Sequence, residues 1–176
     1  MKVKKIINEL QEIAKISSEL KKTNSIVLCH GCFDILHIGH VRHFQAAKNR
    51  GDILIVSVTA DRYINKGPAR PVFSQELRME FIAHLEIVDY VILSKSPSAI
   101  EIIKTIKPDI FAKGNDYRSR TKNTNPNIFI EEKVLNELGG KLIYTDEITS
   151  SSTDLLNLIQ DRITSSHPVD LSEKLN

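Results

Sequence analysis

Short apolar runs separated by helical segments recur along this chain, and that alternation limits its possible architectures more than any other property. Ser25 to Cys29, Asp52 to Thr59, Val88 to Leu93, Pro108 to Ala112 and Lys141 to Tyr144 each read as a strand. The segments between them carry helical periodicity and helical punctuation. Val41 to Lys48 runs on to Gly51, residues 74–85 open on Ser74 with Glu76 in the first turn, and Pro97 to Ile106 has Pro in its first turn. Ile128 to Leu138 closes on Gly139 and Gly140, and a last helix spans about Ser152 to Ile163. Strands joined in this way form a parallel, doubly wound α/β sheet with right-handed crossovers, a Rossmann-like arrangement. Ahead of it, Val3, Ile6, Ile7, Leu10, Ile13, Ala14 and Leu20 predict an amphipathic helix over residues 3–20. The expected organisation is an N-terminal helical element (1–24), a single α/β domain (25–163) and a polar tail (164–176).

With 24 Lys and Arg against 22 Asp and Glu, the net charge of +2 leaves no nucleic-acid footprint to be read from charge alone. The 176 residues, 41% of them hydrophobic, suffice for one domain with a real core. Lysines at the start resemble those of a signal peptide, but Glu9, Glu12 and Lys15 interrupt any apolar run there, and nothing is long enough to span a bilayer. A cytoplasmic location is the expectation, with neither membrane nor nucleic acid as partner and with both cysteines present as thiols.

In sheets of this kind ligands sit beyond the carboxyl ends of the strands, where strand order reverses. That rule points to residues 30–40 after the first predicted strand, 59–70 after the second, 113–116 after the fourth and 146–153 after the fifth. The first of these belongs to CHGCFDILHIGH, which packs Cys29, Cys32, His30, His37, His40 and Asp34 into twelve residues. A zinc site of Cys29, Cys32, His37 and His40 would have only four residues between its two pairs, shorter than zinc spacings allow. A redox Cys29–Cys32 pair would place one thiol at the end of an apolar strand, where a small buried cysteine packs well. The phosphate reading fits better. His37 and His40 bracket Gly39 at a helix start, where amides, the helix dipole and two imidazoles converge on one side.

GCFDILHIGH resembles the signature of the nucleotidylyltransferase superfamily that includes the cytidylyltransferases, in which HxGH follows GxFD after the first strand. NKGPARPVFSQELRMEFIAHLEIVDYVI, PDIFAKGNDY and GGKLIYTDEITSSST are similar, in order and spacing, to blocks of the adenylyltransferase domain of ADP-heptose synthase and its sugar-nucleotidyltransferase relatives. The resemblance covers about residues 25–157. It implies that a phosphate oxygen of an acceptor attacks the α-phosphorus of a nucleoside triphosphate in line and expels pyrophosphate, with no covalent enzyme intermediate. The acceptor would be a phosphorylated sugar such as a heptose 1-phosphate, and ATP is favoured as donor. CTP with glycerol 3-phosphate or another polyol phosphate is the alternative. The resemblance also implies magnesium held mainly through the nucleotide phosphates, no protein metal site, and a homodimer.

Residue by residue, the resemblance makes His37 and His40 donors to the triphosphate, with His40 at the reacting phosphorus and Lys66 reaching the phosphates from the loop shaped by Gly67 and Pro68. Gly31, Cys32, Phe33 and Gly39 would line the nucleotide from the signature loop; Lys113, Gly114 and Asp116 of KGND would approach ribose and base. Ser151, Ser152 and Thr153 would bind phosphate at the start of the last helix, unless they merely cap it. Arg70 and Arg78 suit anionic groups of acceptor or nucleotide, although Arg78 on a helix suits a salt bridge equally. Asp34 either orients its turn through backbone amides or helps to hold magnesium through water, and Asp116 either meets ribose hydroxyls or forms a turn. Two departures bear on the substrate. Asp146-Glu147-Ile148-Thr149 stands where glycerol-3-phosphate cytidylyltransferases place an arginine, and the loop from Tyr117 to Asn127 differs from the heptose enzyme's pattern. A nucleotide-binding sensor without turnover is the reading from another class.

Overall fold

The computed structural model describes residues 5–118, 126–146 and 152–164, with the side chains at 116, 126, 152–155 and 164 outside the description. Six strands, β1 (Ile6–Ile7), β2 (Ile26–Gly31), β3 (Ile53–Thr59), β4 (Tyr90–Ser94), β5 (Ile110–Gly114) and β6 (Lys141–Thr145), form one sheet in the order β1-β4-β3-β2-β5-β6. Every pairing is parallel. The helices are α1 (Leu10–Leu20), α2 (Ile38–Lys48), α3 (Gln75–Ala83), α4 (Ile100–Ile106), α5 (Pro126–Glu137) and α6 (Ser152–Thr164). Among the described residues no helix is long and apolar enough to cross a membrane.

The period-2 geometry of the strands sorts their side chains between two cores. Val27, Cys29, Leu54, Val56 and Val91 pack with Phe44 and Ala47 of α2 and Met79 and Ile82 of α3. The alternate positions Ile26, Leu28, Ile55 and Ile92 pack with Ile13 of α1, Ile102, Ile103 and Ile106 of α4 and Leu135 of α5. Each such aliphatic side chain contributes about 1.5–3 kcal/mol on full burial. Both faces are covered, which is why these strands read as continuous apolar runs.

The N-terminal segment departs from the expected helix over 3–20. Ile6 and Ile7 pair with Val91 and Ile92, so the chain first adds an edge strand to the sheet and turns helical only at Leu10. α1 then buries Ile13 and Ser17 against its own chain. α4 begins at Ile100, later than Pro97, and α2 begins at Ile38, three residues earlier than Val41. α3 is capped as expected, the Leu77 amide donating to Ser74 Oγ at 3.5 Å.

At the amino end of the sheet three aspartates tie the strand starts together. Asp89 Oδ2 accepts from the Leu54 amide at 2.7 Å and pairs with Lys48 Nζ at 2.6 Å. Asp109 accepts from the Ile26 amide at 2.8 Å and pairs with Lys21 at 3.1 Å. Asp52 accepts from both the amide and the hydroxyl of Ser25, bonds that hold its carboxyl below the usual carboxylate range. Strand order reverses between β2 and β5, and the carboxyl ends of these two strands open onto the signature loop.

Candidate active site

β2 ends at Gly31, and the chain reverses through Phe33, whose φ of +48° is left-handed, a strained conformation for an aromatic residue. Gly31 is what lets the Phe33 ring lie so close. A Cβ at position 31 would stand 3.0 Å from Cζ of that ring. The ring packs edge-on against Phe44 at 5.0 Å between centroids and against His40 at 5.3 Å, and His40 stacks on His37 at 3.9 Å. The signature thus builds one pile of rings from backbone to imidazoles.

His37 is itself the N-cap of α2. Its Nδ1 accepts from the Gly39 amide at 3.2 Å, so the neutral ring carries its proton on Nε2, and that nitrogen is buried with no partner among the described residues. His40 Nδ1 is likewise buried and unpartnered. The Gly39 amide, expected to face an anion, is occupied by the ring; outward presentation passes from backbone to imidazole. Burial pushes His40 down to about 3, helped by the charges of His37, His43 and Lys66 and opposed by a hydrogen bond with the Ile35 backbone. Burial and then the Lys66 charge lower His37 as well. Both rings are therefore neutral near pH 7.

Asp34 is buried, and its carboxylate is spent within the chain. It accepts from the amides of Val72 at 2.7 Å and Phe73 at 3.3 Å and pairs with Arg70 Nε. Asp34 thus bonds backbone amides, but those of the 64–73 loop carrying Lys66 and Arg70 and not those of its own turn. Arg70 keeps a second nitrogen, Nη2, buried and without a partner among the described residues. Lys66 lies exposed beside Gly67, whose φ is +98°, and its charge reaches His37, His40 and Cys32.

Arg78 corrects its expectation as an anion-binding residue. It is 1% exposed, and its guanidinium donates to the carbonyls of Phe73 at 3.0 Å, Thr59 at 2.8 Å and Cys32, and to Asp61 Oδ1 at 2.5 Å. Each of its three nitrogens is used in locking three loops together. Lys113 is a second correction. Its ammonium is buried, 3.5 Å from Glu131 Oε2, between the rings of Phe111 and Tyr117 at 4.7 and 4.9 Å. Glu131 also accepts from the Ala99 amide at 2.8 Å, anchoring the start of α4. Gly114 ends β5 next to a short 3-10 turn over Asn115–Tyr117; the side chain of Asp116, the residue Ser151 and the side chains of Ser152 and Thr153 lie outside the described residues.

Two histidines that sequence spacing did not single out complete this end of the sheet. His30 Nδ1 meets Ser57 Oγ at 3.1 Å across β2 and β3, and burial together with Lys113 lowers it to about 3. His43, one turn after His40, meets Thr145 Oγ1 at 2.8 Å and is lowered to about 4 for the same two reasons. Its i+3 placement after His40 was the available signal. Cys29 is fully buried and both thiols are pushed up by burial, which removes the thiolate a redox pair requires. Among the described residues no three His, Cys, Asp or Glu side chains converge on a metal position. Asp34 already spends both carboxylate oxygens within the chain.

A family model described as cytidylyltransferase-like matches residues 28–156. The chain is 45% identical over 117 residues to the bifunctional protein HldE of a Nitratiruptor species, covering 65% of this chain and 25% of that protein. It is 36% identical over 159 residues to the bifunctional protein HldE of Campylobacter fetus subsp. fetus, covering 89% and 32%. The chain thus spans about a quarter to a third of the length of the curated relatives it matches. Among solved structures, the lipopolysaccharide core biosynthesis protein from Thermoplasma volcanium aligns with a TM-score of 0.57 at 28% identity, over 72% of this chain and 99% of that one. Pantoate-beta-alanine ligase from Francisella tularensis aligns with a TM-score of 0.60 at 15% identity over 97% and 83%, a likeness of fold alone.

Proposed function

Since the chain belongs to the cytidylyltransferase-like family and is a nucleotidyltransferase, we propose that it transfers a nucleoside monophosphate, AMP by preference, to a phosphorylated sugar. An acceptor phosphate oxygen attacks the α-phosphorus, the bond to the β-phosphate breaks, and pyrophosphate leaves as the new phosphoanhydride forms. The observation that carries this reading is the group of buried nitrogens at the signature loop, His37 Nε2, His40 Nδ1 and Arg70 Nη2, none with a partner among the described residues. Buried polar atoms are almost always paired, so a set left unpaired at a ligand crevice is matched to ligand oxygens.

In this reading His37 donates from Nε2 to a non-bridging phosphate oxygen. His40, neutral in the free protein, gains a proton as triphosphate charge arrives and stabilises the charge developing at the α-phosphorus. Lys66 closes over the phosphates, and Arg70, aimed by Asp34, holds the acceptor phosphate. Ser151, Ser152, Thr153 and Asp116 complete the nucleotide side. Magnesium bound with the triphosphate would neutralise charge on its phosphate oxygens. The motif resemblance supports a heptose 1-phosphate type of acceptor, and the likeness to a lipopolysaccharide core biosynthesis protein agrees with a sugar-directed enzyme.

The test is a matrix of four nucleoside triphosphates against sugar and polyol phosphates, scored for pyrophosphate, with His40→Ala as blank. Release with ATP and a sugar 1-phosphate is expected. Triphosphate binding without pyrophosphate from any pair overturns transfer in favour of a sensor, and turnover of CTP with glycerol 3-phosphate replaces the substrate assignment.

A further inference from the structure

The end of β5 is held from both faces of the sheet by polar side chains that stand apart from the unpaired nitrogens of the signature loop. On one face the Lys113 ammonium lies 3.5 Å from Glu131 Oε2 of α5, and Glu131 Oε1 takes the Ala99 amide ahead of α4 at 2.8 Å. Tyr117, at the end of the turn that follows β5, closes over that ammonium at 4.9 Å. On the other face His43 of α2 places Nδ1 2.8 Å from Thr145 Oγ1, the last residue of β6. Thr145 is the register partner of Gly114, and its hydroxyl donates to the Lys113 carbonyl at 3.5 Å. With its single hydrogen directed there, the hydroxyl accepts from His43 Nδ1. The bond from α2 therefore ends beside the first residues of KGND.

His43 follows His40 by one helical turn. β5 lies between β2 and β6 in the sheet, so the helix that follows β2 meets β6 by reaching past β5. Thr145, Lys113 and Glu131 are all buried, and buried polar groups that are fully bonded fix one arrangement where apolar packing would tolerate sliding. The imidazole helix and the end of β5 are thereby set at one spacing.

We propose that His43, acting through Thr145, is a positioning residue for the nucleotide, holding the imidazoles of α2 at a fixed distance from the KGND end of β5. The inference rests on the transfer reading above, which gives the triphosphate to the first place and the nucleoside to the second. A ligand gripped at two places binds well when their spacing is set beforehand. The experiment measures affinity for α,β-methylene-ATP by calorimetry, and triphosphate KM, acceptor KM and kcat by pyrophosphate release, alongside the urea midpoint. His43→Leu and Thr145→Val are each expected to weaken analogue affinity and raise triphosphate KM about 3–10-fold, with kcat and acceptor KM holding. The double variant is expected to be no worse than either single one, because both remove the same bond. His43→Asn, whose side-chain amide can stand where Nδ1 does, and Thr145→Ser are expected to keep wild-type affinity. Thr145→Val exchanges a hydroxyl for a methyl at nearly constant shape, so it reports on the bond even where His43→Leu fails to fold. A lower urea midpoint with unchanged affinity, or equal damage from Asn and Leu at position 43, overturns the positioning role and leaves transfer standing. Analogue binding that the variants weaken, without pyrophosphate from any acceptor, defeats transfer and keeps the positioning role.

Discussion

At the amino end of the sheet Asp89 and Asp109 each take a backbone amide of a neighbouring strand and close against a lysine; at the carboxyl end His37, His40 and Arg70 each keep a buried nitrogen that no group among the described residues meets. The same strands supply both ends, and the same burial acts on both. A buried polar group without a partner costs about 1–3 kcal/mol, so the carboxyl end gives up stability that the amino end keeps. The difference separates residues that hold the fold from residues kept ready for a ligand, and it does so by bonding state rather than by residue type. Arg78 is the instructive case, since it sits at the carboxyl end yet is bonded like an amino-end residue.

The sharpest attempt to break that division is therefore Arg78→Met. Four acceptors lose their donor in a buried setting, and a loss of about 3–5 kcal/mol in urea unfolding is expected. A variant of full stability and no activity would move Arg78 among the ligand groups. Next in size is His40→Ala, for which kcat is expected to fall about 10²–10³-fold while the urea midpoint holds or rises. Asp89→Ala should do the reverse, losing about 1.5–3 kcal/mol of stability with kcat of the folded fraction retained. Equal damage to both properties in either variant would erase the contrast between the ends.

Acidity gives the smallest and most selective probe. His30 and His40 are lowered to about 3 and His43 to about 4, so the unfolded chain binds more protons than the folded one below about pH 6.5. Stability contributed by keeping these rings neutral is whole above that pH and drains as pH falls toward the folded values. Between about pH 7.5 and about pH 6 the expected loss is about 1 kcal/mol per histidine. Asp52, already held below the usual carboxylate range, stays ionised throughout. His43→Asn should flatten the slope; an unchanged slope would mean that this ring is not neutral in the fold.

Much of this division is legible in the sequence, and the limits have physical causes. The four inner strands announce themselves because both sheet faces are covered, and HxGH marks its own helix start. Ile6 and Ile7 suit a helical stripe as well as a strand, and only their pairing with Val91 and Ile92 decides between the two. The fate of Arg78 depends on carbonyls from three loops, which no local pattern reveals. His43 and Thr145 are 102 residues apart, and Lys113 finds Glu131 on a helix whose register the sequence does not set. Asp34 reads as a local turn former because Asp usually is one, whereas the amides that bond it lie 38 and 39 positions downstream.

The pile of rings that starts on Gly31 works as a spacer of fixed thickness. A single methyl added at that glycine would tilt Phe33, then His40, then His37, so the error would surface at the outer imidazole, well away from its origin. Sensitivity to substitution in this protein will therefore not map onto distance from the ligand. Attempts to retool it for new acceptors have more freedom at the rim of the crevice than at the bare Cα beneath it.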